Sequence, residues 1–160
     1  MDIRPPNRIS RSYIQHLVAE PSAVFPLLCP VRECDWIEGW RPLQVLSLTG
    51  YAEQDCVFTT KATPDEAVWV ILRHEPAAGF VEMIKVTPKV TVCKLSIQLS
   101  GAPEGCTALV TYTHTSLGPE GDVFIDGFTE SFYRDFMQDW ERRLNHHLAT
   151  GRALLENDRH

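Results

Sequence analysis

Residues 89–116, KVTVCKLSIQLSGAPEGCTALVTYTHTS, decide the fold of this chain. Apolar and polar residues alternate on both sides of the central GAPEG, which is typical of two strands that each bury one face. The residues expected on the buried faces are Cys93, Leu95, Ile97 and Leu99, then Ala108, Val110, Tyr112 and His114. A four-residue loop from Ala102 to Gly105 predicts a hairpin. Its register places Leu99 opposite Ala108, Leu95 opposite Tyr112 and Cys93 opposite His114.

Five further strand-like runs precede this hairpin, at residues 9–18, 43–52, 56–62, 66–75 and 80–86. Short turn segments separate the last six runs, which predicts an antiparallel meander. Two short helices are expected after the first run, at 20–28 and 31–37, and a long helix at 119–150. The chain is therefore predicted to be an α+β protein of one domain, 1–160, with an ordered core at about 9–150. A curved seven-stranded antiparallel sheet wraps around the long C-terminal helix, because both layers then bury an apolar side.

Composition excludes several classes of protein. The chain has 160 residues, 44% hydrophobic and 22% charged, and a net charge of −6 without a basic cluster, which argues against nucleic-acid binding. No apolar run approaches the roughly 20 residues of a membrane span. Five cysteines without an export signal predict reduced thiols in the cytoplasm. Nothing in the sequence calls for a metal or a cofactor, and the oligomeric state stays open, with a homodimer among the options.

The C-terminal helix carries an apolar residue at every fourth position. These residues are Phe124, Phe128, Phe132, Phe136, Trp140, Leu144 and Leu148. At 3.6 residues per turn such a stripe drifts by about 40° per step, so it cannot face one flat partner along its whole length. Either the sheet twists with the helix, or the helix bends at Asp126-Gly127. Phe132 is expected to be buried between helix and sheet.

A polar row is predicted on the inner face of the sheet. A two-residue turn at Thr87-Pro88 would place Glu82 opposite Cys93, and thus in one row with His114. The row is interpreted either as a polar end of a cavity or as a site where His114 acts as acid and base, assisted by Glu82 or Cys93. Arg73 would lie opposite Glu82 if the preceding loop has four residues, and Leu72 would if it has five.

The order of elements, with the entry motif VAEPSAVFPLL and the closing motif FYRDFMQDWERRLNHHL, resembles the START-like, or SRPBCC, superfamily. The resemblance covers about residues 9–150 and is strongest to bacterial members without an assigned activity. It implies the helix-grip fold, and a cavity between sheet and helix that holds an apolar small molecule of the lipid or polyketide type. The glycine-rich loop of the pollen-allergen branch is missing, so the ligand preferences of that branch do not transfer.

The stretch CPVRECDWIEGW, residues 29–40, admits three interpretations. The spacing of Cys29 and Cys34 lacks the second close pair that structural zinc sites need. Cys34 lies beside two acidic residues, which disfavours a reactive thiol. In the resembled fold this stretch lies at the mouth of the cavity, where Trp36 and Trp40 would either contact a ligand or plug one end of the core.

The function we favour from sequence is the binding of a small, largely apolar molecule, rather than an enzymatic activity. The alternatives are a cyclase/dehydratase-like or hydrolase-like enzyme that uses His114, and a protein-interaction module that resembles the chaperone activators. An apolar outer face of the sheet would favour the last, but Lys94, Ser96, Gln98, Thr107, Thr111 and Thr113 make it polar. The predicted ligand-binding residues are Trp36, Trp40, Trp69, Glu82, Cys93, Leu95, Tyr112, His114, Phe128, Phe132 and Phe136.

Overall fold

The computed structural model describes residues 1–158, so Arg159 and His160 of the predicted domain lie outside the described residues. Seven antiparallel strands form one sheet in the order β1-β7-β6-β5-β4-β3-β2. They are β1 (Arg8–Leu17), β2 (Gln44–Leu46), β3 (Val57–Thr60), β4 (Ala67–Glu75), β5 (Phe80–Thr87), β6 (Thr91–Ala102) and β7 (Gly105–Ser116). The predicted meander and the seven-stranded α+β architecture are confirmed, with β1 closing the sheet beside β7.

Short helices follow β1, as predicted. They are α1 (Pro21–Val24) and two 3₁₀ turns, Phe25–Leu27 and Arg32–Asp35. The C-terminal segment forms two helices, α2 (Pro119–Gly127) and α3 (Glu130–Thr150). None of the helices within residues 1–158 combines the length and the apolar character that a bilayer crossing requires.

The prediction of one continuous helix at 119–150 is wrong, because the helix is interrupted at Phe128 and Thr129, directly after the bend expected at Asp126-Gly127. Thr129 caps α3, because its side-chain oxygen accepts a hydrogen bond from the Phe132 N–H at 3.1 Å. Gly121 lets α2 pack directly on the β5–β6 turn, since a Cβ there would lie 2.0 Å from the Val90 carbonyl oxygen. Because of this break, the face that α3 turns toward the sheet is independent of the face that α2 buries.

The prediction that Phe132 is buried is wrong. Tyr133, Met137 and Leu144 form the buried face of α3 instead. Along the four-residue stripe, exposure falls from 53% at Phe132 to 37% at Phe136 and 0% at Leu144. A rotation of about 40° per step explains this trend, because the stripe starts beside the buried face and only gradually turns into it.

Helix α3 packs along the edge strand β1. The side-chain amide of Gln15 donates to the Met137 carbonyl at 3.0 Å. Further along β1, the Glu141 carboxylate accepts from the His16 N–H at 2.6 Å, and the Asn145 amide donates to the His16 carbonyl at 2.9 Å. The helix thereby satisfies backbone groups that an open sheet edge would leave exposed.

The register of the inner face is confirmed in one hairpin and wrong in the next. Cys93 pairs with His114 and Leu95 with Tyr112, as predicted. The β5–β6 turn, however, begins after Thr87 and ends before Thr91, which leaves three residues in it instead of two.

This longer turn removes Glu82 from the predicted polar row. Cys93 faces Lys85, whereas Glu82 pairs with Ser96 on the outer side of the sheet. A three-residue shift in register is odd, so it moves every side chain of β5 to the opposite face. Arg73 does lie opposite Glu82, as expected for a four-residue loop, but this pair is on the outer face.

The outer face of the sheet is polar in only one half. On β6 and β7 the six polar residues named above face outward, as expected. On the neighbouring strands Val68 pairs with Val86 and Val70 with Ile84, and these four side chains are only partly buried or exposed. The outer face therefore carries an apolar area over β4 and β5 that the sequence patterns did not reveal.

Candidate functional site

A cavity of about 330 Å³ lies between the inner face of the sheet, the segment that follows α1, and helix α3. Its lining is formed by Leu28, Pro30, Glu33, Ile37, Glu38, Trp40, Phe58, Trp69, Met83, Lys85, Cys93, Leu95, Tyr112, His114, Phe136, Asp139, Trp140 and Arg143. Glu38 and Phe136 are both solvent-exposed, which marks the side on which the cavity opens.

The register of all seven strands aligns one row of side chains across the inner face. In the order of the strands, from one edge to the other, the row is Ile9, His114, Cys93, Lys85, Trp69, Phe58 and Val45. The middle five residues line the cavity. The row thus changes from aromatic at the β3–β4 side to polar at the β5–β7 side.

Aromatic side chains give the cavity rigid apolar walls. Phe58 and Trp69 stack with their ring centroids 5.2 Å apart, and the Trp69 indole N–H donates to the Thr60 hydroxyl at 3.0 Å. Trp40 is half-buried and its indole N–H donates to the Pro30 carbonyl at 2.8 Å. Both indole N–H groups already have a protein acceptor, so the ring faces remain available to an apolar ligand.

Lys85 brings an amino group into these apolar surroundings. Its Nζ lies 5.0 Å from the centroid of the Trp69 ring, within cation–π range. No carboxylate within residues 1–158 comes within ion-pair distance of it. Burial lowers the pKa of this lysine, because desolvation disfavours the charged form.

His114 is the most isolated polar group of the site. It is 6% exposed, and neither ring nitrogen has a hydrogen-bond partner within the described chain. Phe124 and Phe128 contact the ring edge-on, at centroid distances of 4.8 and 4.5 Å. Burial, and then the nearby Lys85, lowers the pKa of His114 to about 4, so the imidazole is neutral near pH 7.

Cys93, between Lys85 and His114, carries a neutral thiol. Its side chain is 1% exposed, and burial raises its pKa to about 12 despite the opposing effect of Lys85. A thiol that stays protonated is a poor nucleophile, so Cys93 acts here as a small floor residue. Burial likewise raises the pKa of the neighbouring Tyr112 hydroxyl well above its usual range.

Glu33 supplies a carboxyl group on the side of the cavity opposite the sheet. It lies in the 3₁₀ turn Arg32–Asp35 and lines the cavity. Removal from bulk water raises the pKa of its carboxyl to about 8, so the side chain is mostly protonated near pH 7. Glu33 is only half-buried, but it borders the cavity, so part of its accessible surface faces the cavity rather than bulk water.

An ion pair on α3 completes the polar part of the lining. Arg143 is 8% exposed, and its Nε donates to the Asp139 carboxylate at 2.7 Å. Arg142 donates to the other oxygen of the same carboxylate. The charge of Asp139 is thus compensated on the helix itself.

Seven of the predicted ligand-binding residues lie in the cavity wall. They are Trp40, Trp69, Cys93, Leu95, Tyr112, His114 and Phe136. Trp36 is fully buried, donates its indole N–H to the Leu27 carbonyl at 3.1 Å and packs against Trp140, so it plugs the core. Phe128 is buried behind His114, Phe132 is exposed, and Glu82 is on the outer face.

The sequence patterns missed Lys85, Glu33, Asp139 and Arg143. The run FVEMIKV has apolar residues on both alternating faces, so it gives no signal for which face holds the lysine. Glu33 lies in a four-residue 3₁₀ turn, which is too short for any periodicity. For Asp139 and Arg143, the i, i+4 spacing of an acid and a base on a helix is a signal that could have predicted their ion pair.

The remaining candidates from the sequence form no site. The Cys29 thiol is buried and accepts a hydrogen bond from the Ala52 N–H at 3.1 Å, while Cys34 is exposed. Within residues 1–158 no group of three or more histidine, cysteine or acidic side chains is placed to hold a metal ion. A wide open groove of about 920 Å³ near residues 76–79 and 101–105 is lined mainly by turn residues and is not enclosed.

Comparison with known proteins supports the fold. No protein-family model and no curated protein matches the chain. Norcoclaurine synthase from Thalictrum flavum, solved with a transition-state analogue, superimposes with a TM-score of 0.66 at 9% identity, over 92% of this chain and 100% of that one. A protein from Rhodobacter sphaeroides gives 0.62 at 16% identity, over 88% and 91%, and Ara h 8.0201 gives 0.61 at 11%, over 90% and 99%. These superpositions show that the chain has the helix-grip fold of those proteins, and at identities of 9–16% they leave its activity open.

Proposed function

We propose that this protein binds a small, largely apolar molecule in the cavity between the sheet and helix α3. The observation that carries the proposal is the cavity itself, about 330 Å³ with aromatic and aliphatic walls. Small-molecule sites typically enclose about 300–1,000 Å³, are mostly apolar and hold a few convergent polar groups. Lys85, His114, Tyr112 and Glu33 are such groups, and they gather on the lining without forming an ion pair with one another.

The reduced state of the cysteines supports a cytoplasmic location for the protein. All five cysteines are free thiols, and four of them are buried. Proteins that keep unpaired buried thiols are typical of reducing compartments.

An enzyme that uses His114 is the second candidate, favoured by its two unpartnered ring nitrogens. Its support is weaker than the sequence suggested, because Glu82 is not in the cavity and Cys93 stays protonated. A pKa of about 4 also makes His114 a weak proton acceptor near neutral pH. His114→Gln distinguishes the two functions: turnover lost about 10²–10⁴-fold with binding retained indicates an enzyme, whereas weakened binding alone supports a carrier.

A protein-interaction module is the third candidate. The apolar area around Val70 and Ile84 on the outer face is the observation that favours it. Binding of a probe inside the cavity does not depend on this area, so the test below separates the two functions.

Native mass spectrometry of freshly purified protein, followed by solvent extraction of any bound molecule, tests the main proposal. Leu95→Trp serves as the blocked variant, because Leu95 is 4% exposed and lines the cavity. Leu109→Trp is the matched control, since Leu109 lies on the outer face and is 44% exposed. The proposal expects a bound species, or uptake of neutral phenylnaphthylamine, in the wild type and the control and a loss in Leu95→Trp. Equal uptake by all three folded proteins, or by none, would refute it.

A further inference from the structure

The cavity contains an amino group, that of Lys85, whose positive charge is not compensated by any ion pair within residues 1–158. Cys93 on β6 lies next to Lys85 in the same row and His114 on β7 lies one strand further, and both are neutral near pH 7. The Tyr112 hydroxyl is neutral as well. On the sheet side of the cavity, Lys85 is therefore the one charged side chain of the lining within the described residues.

The acidic groups on the opposite side do not provide a counter-ion. Glu33 is mostly protonated near pH 7, because its pKa is about 8. The carboxylate of Asp139 binds Arg142 and Arg143. Glu38 is exposed at the opening and accepts a hydrogen bond from the Glu156 N–H at 2.8 Å.

Lys85 and His114 stand on either side of a small floor residue. Strands β5 and β7 both pair with β6, so the two side chains are separated by about two strand spacings, roughly 10 Å at the backbone. The residue between them is Cys93, whose short side chain leaves room above the sheet. A neutral imidazole has one N–H donor, and the one on His114 has no acceptor among residues 1–158.

These observations point to the charge of the ligand. We propose that the cavity takes a small aromatic or aliphatic acid as its anion, with the anionic group above Cys93 between Lys85 and His114. The apolar body of the acid then lies against the aromatic walls formed by Trp40, Trp69 and Phe136. The inference rests on the proposed function, and adds to it a negative charge and its position.

Two fluorescent probes with nearly the same aromatic body test this inference. Anilinonaphthalene sulfonate carries an anionic group, and phenylnaphthylamine is its neutral counterpart. The wild-type protein is expected to bind the sulfonate at least about 10-fold more tightly, since a hydrogen bond to a charged group contributes that much or more. Lys85→Met should weaken the sulfonate about 10- to 100-fold and leave the neutral probe nearly unchanged.

Lys94→Met is the matched control variant. Lys94 is one residue from Cys93 on the exposed outer face, so this change removes the same charge without contact to the cavity. It should leave both affinities unchanged. Cooperative thermal unfolding of each variant shows that it is folded, and Lys85→Met is expected to unfold at a higher temperature than the wild type, because a desolvated charge has been removed.

The outcomes separate this inference from the proposed function. Equal affinity of the two probes, or a sulfonate affinity that Lys85→Met does not change, overturns the anion proposal while cavity binding stands. A similar loss in Lys94→Met and Lys85→Met also overturns it, because the effect would then come from net charge. Binding of neither probe to the wild type overturns both proposals.

Discussion

The burial of His114 makes the stability of the fold depend on pH. Desolvation lowers its pKa from the usual 6.5 to about 4. The unfolded chain therefore takes up a proton at this ring near pH 6.5, whereas the folded chain takes it up only near pH 4. Stability from this group is complete above pH 6.5 and is lost as the pH falls to 4, by up to about 1.4 kcal/mol per pH unit.

His114→Gln is expected to remove this loss, because glutamine does not titrate. Urea unfolding across the window from pH 6.5 to 4 should show a smaller decline in the free energy of unfolding for the variant than for the wild type. His16→Gln is the control, since the His16 side chain is exposed. A variant that declines as steeply as the wild type would show that the imidazole is solvated in the folded protein.

Glu33 has the opposite effect on stability. Its pKa is about 8 in the folded protein and near 4.5 in the unfolded chain, so the unfolded chain loses its proton first as the pH rises. Stability therefore falls between pH 4.5 and 8. Glu33→Gln should abolish this fall and be more stable than the wild type near pH 8, whereas the exposed Glu104→Gln should follow the wild type. Thermal unfolding in that range measures the difference, and parallel curves for all three proteins would contradict the prediction.

At the scale of single residues, predictability depended on turn length. Cys93 and His114 could be paired from sequence because Pro103 lies between Gly101 and Gly105, and these three residues mark the centre of the β6–β7 hairpin. The β5–β6 turn has only Pro88 as a turn residue and contains no glycine, and its central residue, Lys89, adopts a left-handed φ of 67° that nothing in the sequence signals. A turn that is one residue longer and begins one residue later therefore exchanged Glu82 for Lys85, and with it an acid for a base in the site.

At the scale of elements, the bounds of a strand could be predicted where it pairs with a neighbouring strand on both sides. Strands β4 to β7 lie close to their predicted bounds, but β2 shrinks from the expected 43–52 to Gln44–Leu46. It is an edge strand, and the alternating residues beyond it have no partner, so Leu48 is 99% exposed. These residues form a loop instead, in which the Glu53 carboxylate accepts hydrogen bonds from the Leu48 and Thr49 N–H groups. The alternation of apolar and polar residues alone cannot distinguish such a loop from a strand.

The break before α3 gives a test at the level of the helix. Met137 is fully buried, so Met137→Ala should lower the free energy of unfolding by about 2–5 kcal/mol. Phe132 is 53% exposed, and among the aromatic side chains of residues 1–158 it contacts the flanking rings of Phe128 and Phe136. Phe132→Ala should therefore cost about 1 kcal/mol or less. Chemical denaturation measures both, and a larger cost for Phe132 than for Met137 would mean that α3 is rotated relative to this description.

At the scale of the whole molecule, the segment after α3, residues 151–158, returns to two residues that line the cavity. Residues beyond α3 return to the cavity wall, where the Arg143 guanidinium donates to the Leu154 carbonyl at 3.4 Å. The Glu156 N–H reaches Glu38 on the opposite side of the opening. The segment is held by the buried side chain of Leu154 and by these two hydrogen bonds to backbone groups. A single buried residue produces no periodic pattern, so no sign of this segment appears in the sequence.

Two adjacent leucines test whether this segment controls access to the cavity. Leu154 is 7% exposed and Leu155 is 46% exposed. Leu154→Ala is expected to lower the free energy of unfolding by about 2–3 kcal/mol and to release the segment from the opening, so that neutral phenylnaphthylamine enters faster in stopped-flow fluorescence. Leu155→Ala should change neither quantity, because its side chain packs little in the folded state. If Leu154→Ala lowers stability and the entry rate stays the same, the segment supports the fold without covering the route to the cavity.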